Sequence, residues 1–459
     1  METIRKDLPG CQRRNHNSTL KAMGQNCPIH KTNEKGDDAS MVAGYQFPMR
    51  FCWILVWFFW NLAAVAQEPR ILTSFPAEMT DVYQDLWEAT VPGSRPQLLN
   101  KNTISAIEEI QRGNPRAFDL FWASSPEAFE ILGREGALVA PGSCGVDGPA
   151  PVEGFAISSV GWARRRDSSL FMPGHWNDLL LPIYRDQIAM ARPARSGTTH
   201  LLVEQMLQVR GWDDGWAYLL ELAGNLSTLT ARSFGVPDGL VNHRFEIGLT
   251  LDFLALSRGD VLQFQYGRPM MTTTAQIGLL KGGQQRQAAC DFVRLLLSRP
   301  GQMALLAPQV ARIPLDPDVR EAAGDRLPPD MLSALRLSWL AYDPELSSDR
   351  YWAVNTLFDV MITDVLAERR DLWRRHHALP DAAPEAALRE VAALLTAVPV
   401  SETRATELSK RSVTGLRSLP LVGLDAVERA AIETWRAQTA DLLRQAEAEL
   451  VHLEKRFAP

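Results

Sequence analysis

Four times along this chain a short apolar run hands over, through a polar turn, to sequence with helical spacing. ILTSFPAEMTDVYQDLWEA, residues 71–89, opens as a strand. Ser74 and Pro76 then read as a cap and an early helical residue, with Met79, Val82, Tyr83 and Leu86 on one face. FDLFWASSPEAFEILGREG, residues 118–136, repeats the plan with Ser124, Ser125 and Pro126 at the turn and Gly136 near the helix stop. IAMARPARSGTTHLLVEQML, residues 188–207, places Arg195, Ser196, Thr198 and Thr199 ahead of Leu201, Leu202, Met206 and Leu207. EIGLTLDFLALSRG, residues 246–259, is the fourth case, with Thr250 and Asp252 at the switch. Alternating strands and helices predict an α/β architecture with largely parallel sheets.

Two stretches around the third unit read differently. VEGFAISSVGWARRR (152–166) and VLQFQYGRPMMTTTAQIGLLKG (261–282) are strand-like without a clear helix, as two crossings between lobes would be. The expected division gives residues 67–160 to the first part of lobe 1, 161–262 to lobe 2, and 263–328 to the return of lobe 1. Residues 329–459 form a helical C-terminal region, with helices expected over 331–340, 351–375, 384–397 and 425–457. In the last, Ile432, Trp435, Leu442, Leu443, Ala446, Leu450, Leu453 and Phe457 recur at helical spacing. That stripe suits packing on the protein's own lobes; a face for a partner is the sharper alternative. Its mixed charge argues against a lipid-surface helix.

The N-terminus has another character. Residues 1–48 are polar and aperiodic, and read as a disordered extension ahead of a true start at Met49. Residues 49–66 hold one arginine, a continuous apolar run from Phe51 to Trp60, and Ala64-Val65-Ala66. That is the layout of a cleavable signal peptide, too short to span a bilayer, and it predicts export to the periplasm. Residues 1–66 hold 8 of the 48 bases and 5 of the 54 acids, so their removal takes the net charge from −6 to −9. Of the five cysteines only Cys144 and Cys290 then remain, and two isolated thiols leave their pairing open.

What the turns do follows from helix electrostatics. The first N–H groups of a helix lack internal partners, and the macrodipole makes that end positive. Strand ends delivering their loops to several helix starts build an anion site. Here the loops add the hydroxyls of Ser74, Ser124, Ser125, Ser196, Thr198, Thr199 and Ser233, the guanidinium groups of Arg195 and Arg232, and the Asp252 carboxyl. Arginine donates in a fork suited to phosphate and carboxylate. Serine and threonine are also ordinary caps, and Arg232 could equally pair with a carboxylate. Trp212 and Trp216, four apart, read as core; Arg164 to Arg166 read as solvated. His376 and His377 point about 100° apart on a helix and suit no shared metal. Beyond residue 66 there is no P-loop, G-x-S-x-G, H-E-x-x-H, C-x-x-C or G-x-G-x-x-G, and no clustered basic face for nucleic acid. The chain therefore reads as a binding protein, with no enzyme activity, no metal and no cofactor.

Residues about 70–310 resemble the bacterial extracellular solute-binding proteins of the two-lobed class that includes ferric-ion binders. WNDLLLPIYRDQIAMARPARSGTTHLLVEQML and AQIGLLKGGQQRQAACDFVRLLLSRPGQ carry the general likeness. ARSGTTHLLVE, RGWDDGWAYLLELAGNL, ARSFGV and LLTAVPV are similar to the regulatory proteins of phosphoglycerate transport. The resemblance implies a two-lobed, type II-like periplasmic binding fold with ligand in the cleft, here extended by the helical C-terminal region. It implies a small anionic metabolite, phosphorylated or carboxylic, reported to a membrane sensor kinase. The alternative is the substrate-binding component of an ABC importer, handing an anion or metal chelate to a permease. By position, the resemblance places Ser74, Ser124, Ser125, Arg195, Ser196, Thr198, Arg232 and Ser233 on the cleft loops. Adjacent tyrosines, which ferric iron would call for, are absent: Tyr83, Tyr184, Tyr218, Tyr266, Tyr342 and Tyr351 stand alone.

Overall fold

The computed structural model describes residues 68–329, 332, 342–380, 382–411 and 425–457. The expected extension and signal peptide lie outside these residues, as does the helix over 331–340 apart from Leu332. Strands β1 (Arg70–Thr73), β2 (Gln97–Asn100) and β3 (Leu120–Ala123) pair in parallel with β1 in the middle. Each leads to a helix: α1 (Ala77–Thr90), α2 (Thr103–Gln111) and α3 (Pro126–Arg134). Ile71, Leu72, Leu120, Phe121 and Trp122 are fully buried, which is why β1 and β3 are continuous apolar runs rather than alternating ones.

A second group repeats the arrangement. β5 (Ile188–Ala191) lies between β6 (Leu226–Thr230) and β7 (Ile247–Leu251), all parallel. Helices α4 (Gly197–Arg210) and α5 (Trp212–Leu222) follow β5, α6 (Gly235–Val241) follows β6, and α7 (Asp252–Leu256) follows β7. One long strand joins the groups. The first half of β4 (Val152–Arg165) pairs with β9 (Thr272–Leu279), and its second half with β7 and β8 (Leu262–Tyr266). The complete order is β2-β1-β3-β9-β4-β7-β5-β6. The sheet is mixed rather than largely parallel, because β4 runs from one group to the other while β8 and β9 return. β8, which begins at residue 262 and so crosses the expected lobe boundary, pairs along its length with the second half of β4.

Three local expectations are corrected. α1 begins at Ala77 with Pro76 as its cap residue, so Ser74 stands two residues ahead of the cap. Arg165 is not solvated: it is buried and donates Nη2 to Glu246 at 2.9 and 3.0 Å. The single helix expected over 351–375 is two, α11 (Pro344–Phe358) and α12 (Leu366–Ala378), joined by a π-type turn at Asp359–Thr363. Trp212 and Trp216 do belong to the core. Cys144 and Cys290 form a disulfide, Cα atoms 5.7 Å apart, tying the segment after β3 to α8 (Arg286–Leu297).

After α8, α9 (Arg299–Ala304), β10 (Ile313–Pro314) and α10 (Pro317–Ala323) complete the first group, β10 pairing with β4. The rest is helical: α11, α12, α13 (Glu385–Thr396), α14 (Glu402–Arg411) and α15 (Ala426–Phe457). α11 packs on α4, whose residues from Thr199 to Leu207 are all buried. Polar positions on α4 are answered from α11. His200 bonds Asn355 and Ser347 at 3.2 and 3.0 Å, and Glu204 takes Arg350 Nε and Nη2 at 3.0 and 2.8 Å. A buried charge needs such a partner, since leaving one alone costs several kcal/mol. No described helix is long and apolar enough to cross a membrane.

The apolar stripe of α15 is spent inside the protein. Ile432 and Trp435 belong to the same core as Trp216 and Trp352, with the Trp352 and Trp435 rings 5.6 Å apart. Leu443, Ala446, Leu450 and Leu453 close on Trp373 of α12 and Leu395 of α13. Trp435→Ala should therefore cost about 3–5 kcal/mol, read as a fall in the urea midpoint followed by tryptophan fluorescence. An unchanged midpoint would show that α15 is not part of the folded core.

Candidate ligand-binding cleft

Parallel strands deliver their C-terminal ends to one edge, and the turns beyond those ends meet here. β5 and β6 pair with Ala191 opposite Thr230. Arg195 lies four residues past the first and Arg232 two past the second, so one register brings both arginines together. The Arg192 amide binds the Thr230 carbonyl at 2.9 Å, and the Thr230 hydroxyl donates to the Arg232 carbonyl at 2.8 Å. Arg192 itself grips Asp359 of the π-type turn through Nε at 2.5 Å and Nη2 at 2.6 Å. That pair fixes the turn carrying Arg195. From the first group come Ser74 past β1, Asn102 and Thr103 past β2, and Ser124 past β3.

These turns line a cleft with about 390 Å³ of empty space, part of it open to solvent. Of the residues expected there, Ser74, Ser124, Arg195, Ser196, Thr198, Arg232 and Ser233 line it. Phe75, Pro76, Phe253 and Leu254 supply an apolar wall. The start of α4 comes so close to the first group that a Cβ on Gly197 would stand 2.7 Å from Thr103 Oγ1 and 2.9 Å from Ser125 Oγ. Ser196 caps α4: its Oγ accepts from the Thr199 amide at 3.2 Å and the Thr199 hydroxyl at 3.0 Å.

Among the described residues the lining contains no carboxylate, histidine, cysteine or tyrosine. Among the described residues neither Arg195 nor Arg232 has a carboxylate within ion-pair distance. Arg232 Nη2 instead donates to Asn100 Oδ1 at 2.7 Å, across from the other strand group. Burial, and then the charge of Arg195, hold the Arg232 guanidinium below its usual range. Two like charges kept close without an acid favour an anion between them.

Three expected residues do not reach the cleft. Thr199 is buried behind Ser196. Ser125 turns its hydroxyl inward to Glu127, which also accepts from Tyr342 at 3.0 Å. Asp252 is buried with its oxygens taken by the amides of Ser159 and Phe253 at 3.2 and 2.8 Å and by the Tyr266 hydroxyl at 3.3 Å. Burial pushes its carboxyl up to about 7. One charged residue escaped the sequence reading. Arg312, just ahead of β10, is fully buried and donates Nη2 to Ser124 Oγ at 2.8 Å. It sits outside any strand–turn–helix unit, in ordinary loop sequence, and nothing local distinguishes it.

Comparison with known proteins follows this geometry. Residues 77–307 match the model of a family described as bacterial extracellular solute-binding protein. The chain is 30% identical over 361 residues to the phosphoglycerate transport regulatory protein PgtC of Salmonella typhimurium, covering 74% of this chain and 88% of that one. The same figures hold for PgtC of Salmonella typhi. Its fold is shared with the periplasmic binding protein AfuA of Actinobacillus pleuropneumoniae, solved with fructose-6-phosphate bound. That match has a TM-score of 0.56 at 19% identity, over 64% of this chain and 98% of that one. The apo ferric ion-binding protein A of Pasteurella haemolytica gives a TM-score of 0.51 at 11% identity, over 64% and 97%.

Glu127 makes the wall behind the cleft sensitive to pH. Burial raises its carboxyl from 4.5 to about 7, against the bonds from Ser125 and Tyr342. A raised carboxylate disfavours the charged form in the fold, so its penalty is absent below about pH 4.5 and full above about pH 7. The stability advantage of the wild type over Glu127→Gln should shrink by on the order of 2–3 kcal/mol between pH 5 and pH 8. Urea unfolding at both pH values reads it, and an equal gap at both would mean an ordinary carboxyl.

Proposed function

From the bacterial extracellular solute-binding proteins, the family to which this chain belongs, we propose a periplasmic receptor for a small phosphorylated organic acid such as a phosphoglycerate. The observation that carries the reading is the composition of the cleft: hydroxyls, the start of α4, two arginines without acidic partners among the described residues, and no carboxylate among the described lining. A dianion or trianion fits that lining; a cation or metal ion does not. Arg195 and Arg232 grip the phosphate or carboxylate, with Ser74, Ser124, Ser196, Thr198 and Ser233 as further donors. Residues 67–160 and 263–328 act as one lobe and 161–262 as the other, and β4 with the β8–β9 return is the hinge. The Arg232–Asn100 bond is then a contact of the closed form. Residues 49–66 are the signal peptide that exports the protein. Ser125, Thr199 and Asp252 have structural parts, as wall and support.

The name of the PgtC relatives favours regulation, with a membrane sensor kinase as reader of the loaded protein. The helical region adds a means. α11 packs on both α3 and α4, one from each strand group, so lobe closure moves it. The second reading, delivery to an ABC permease, is favoured by family membership alone.

Arg195 is exposed and, among the described residues, pairs with no acid, so Arg195→Ala should leave the melting temperature without ligand nearly unchanged. Hydrogen bonds to charged groups are worth about 1.5–3 kcal/mol, so Arg195→Ala and Arg232→Ala should each weaken 3-phosphoglycerate about tenfold to a hundredfold. Titration calorimetry measures this, and unchanged affinity in both variants removes the site. In cells, Arg195→Ala should abolish phosphoglycerate-dependent induction of the transporter; loss of uptake with induction intact would favour the importer reading.

A further inference from the structure

Arg312 does not line the cleft, yet it touches three residues that do. Nη2 donates to Ser124 Oγ at 2.8 Å, and Cζ lies 4.5 Å from the ring centre of Phe75 and 3.5 Å from that of Phe253. Nη1 reaches Ser158 Oγ at 3.4 Å, Nε has no hydrogen-bond partner among the described residues, and the side chain is 1% exposed. A guanidinium carries five N–H donors, and here two weak neutral acceptors answer them. Among the described residues no carboxylate stands within ion-pair distance. Asp252 attracts it from farther off, but the Asp252 oxygens are engaged by Ser159, Phe253 and Tyr266. Apolar packing would fill this place at lower cost than a cation so incompletely matched. A cation kept there needs an anion nearby, and the cleft on the far side of Ser124 and Phe75 is where one fits.

The hydroxyl chemistry points the same way. Ser124 Oγ accepts from Arg312, so its single O–H is left to donate elsewhere, and Ser124 faces the cleft. A hydroxyl backed by a cation is a stronger donor and a poorer acceptor, which selects ligand oxygens carrying negative charge. We propose that Arg312 is a specificity-determining positioning residue of this cleft: it holds Ser124 as a donor toward the ligand and supplies a third positive charge from behind the wall. The inference rests on the anion reading of the cleft. It assigns the Ser124 side of the cleft to the most highly charged group of the ligand, a phosphate in a phosphorylated acid.

The test titrates the full exported chain with 3-phosphoglycerate and, separately, with inorganic pyrophosphate. Arg312→Gln should weaken both about tenfold to a hundredfold. Ser124→Ala should weaken both about tenfold, and adding it to Arg312→Gln should cost nothing further, because the two act as one unit. A purely structural Arg312 would lower the melting temperature and leave the affinity of the folded protein alone. Folded Arg312→Gln within twofold of wild type, or losses that simply add, would overturn the proposal. If Arg312→Gln does not fold, Arg312→Lys decides, since it keeps the charge and loses the planar fork. A five- to twentyfold loss that Ser124→Ala does not deepen supports the inference; wild-type affinity or an additive loss rejects it. Wild-type protein that binds pyrophosphate but not 3-phosphoglycerate corrects the ligand alone, and the pyrophosphate series then decides Arg312. Wild-type protein that binds neither anion ends both readings.

Discussion

Parallel strand pairing is the constraint on which the rest depends. It obliges β1, β2 and β3 to end together, and β5, β6 and β7 to end together. β4 crosses between the groups and β8 with β9 returns, so the two edges face a common space. Residues as distant in sequence as Ser74 and Ser233 become neighbours through register alone. The turns themselves are free to vary in chemistry, because the buried inner strands β1, β3, β5 and β7 supply the stability.

That freedom is used for one sign of charge. The whole chain carries a net charge of −6, yet among the described residues the cleft lining holds arginines and no acid. Attraction of an anion is therefore local. Long-range steering by an acidic protein would work against it and would weaken with salt. The acids near the cleft are withdrawn instead: Asp252 and Glu127 are buried, tied by hydroxyl and amide donors, and both are pushed up to about 7. A carboxyl held partly neutral behind the wall competes less with the ligand for the arginines.

Much of this was legible in the sequence. The four strand–turn–helix units, the two crossings and the helical C-terminal region can be read from apolar runs and turn residues. The pair Arg195 and Arg232 could be read as candidates because arginine, glycine and hydroxyls coincide at the turns. Direction was not legible. Ser125 and Thr199 sit one residue from lining positions and face inward, since a one-residue step around a helix start turns a side chain by about 100°. Asp252 is the first residue of α7, and its carboxyl turns back to accept from the amide of Phe253 and from β4 and β8. Arg312 and the α11 partners of His200 and Glu204 depend on contacts more than 140 residues apart, which no local pattern announces.

The packing of the helical region explains its place. α15 contributes Trp435 to the core shared with α5 and α11, and its later turns close on α12 and α13. It is thus continuous with the helices that rest on α3 and α4, beside the cleft. The central claim is that the cleft is an anion site built by Arg195, Arg232 and Ser124. A crystal structure of the protein grown with 3-phosphoglycerate tests it most directly. The account predicts phosphate density within hydrogen-bond distance of the guanidinium groups of Arg195 and Arg232 and of the Ser124 hydroxyl. Phosphoglycerate bound elsewhere, or a cleft holding only water at saturating ligand, would contradict it.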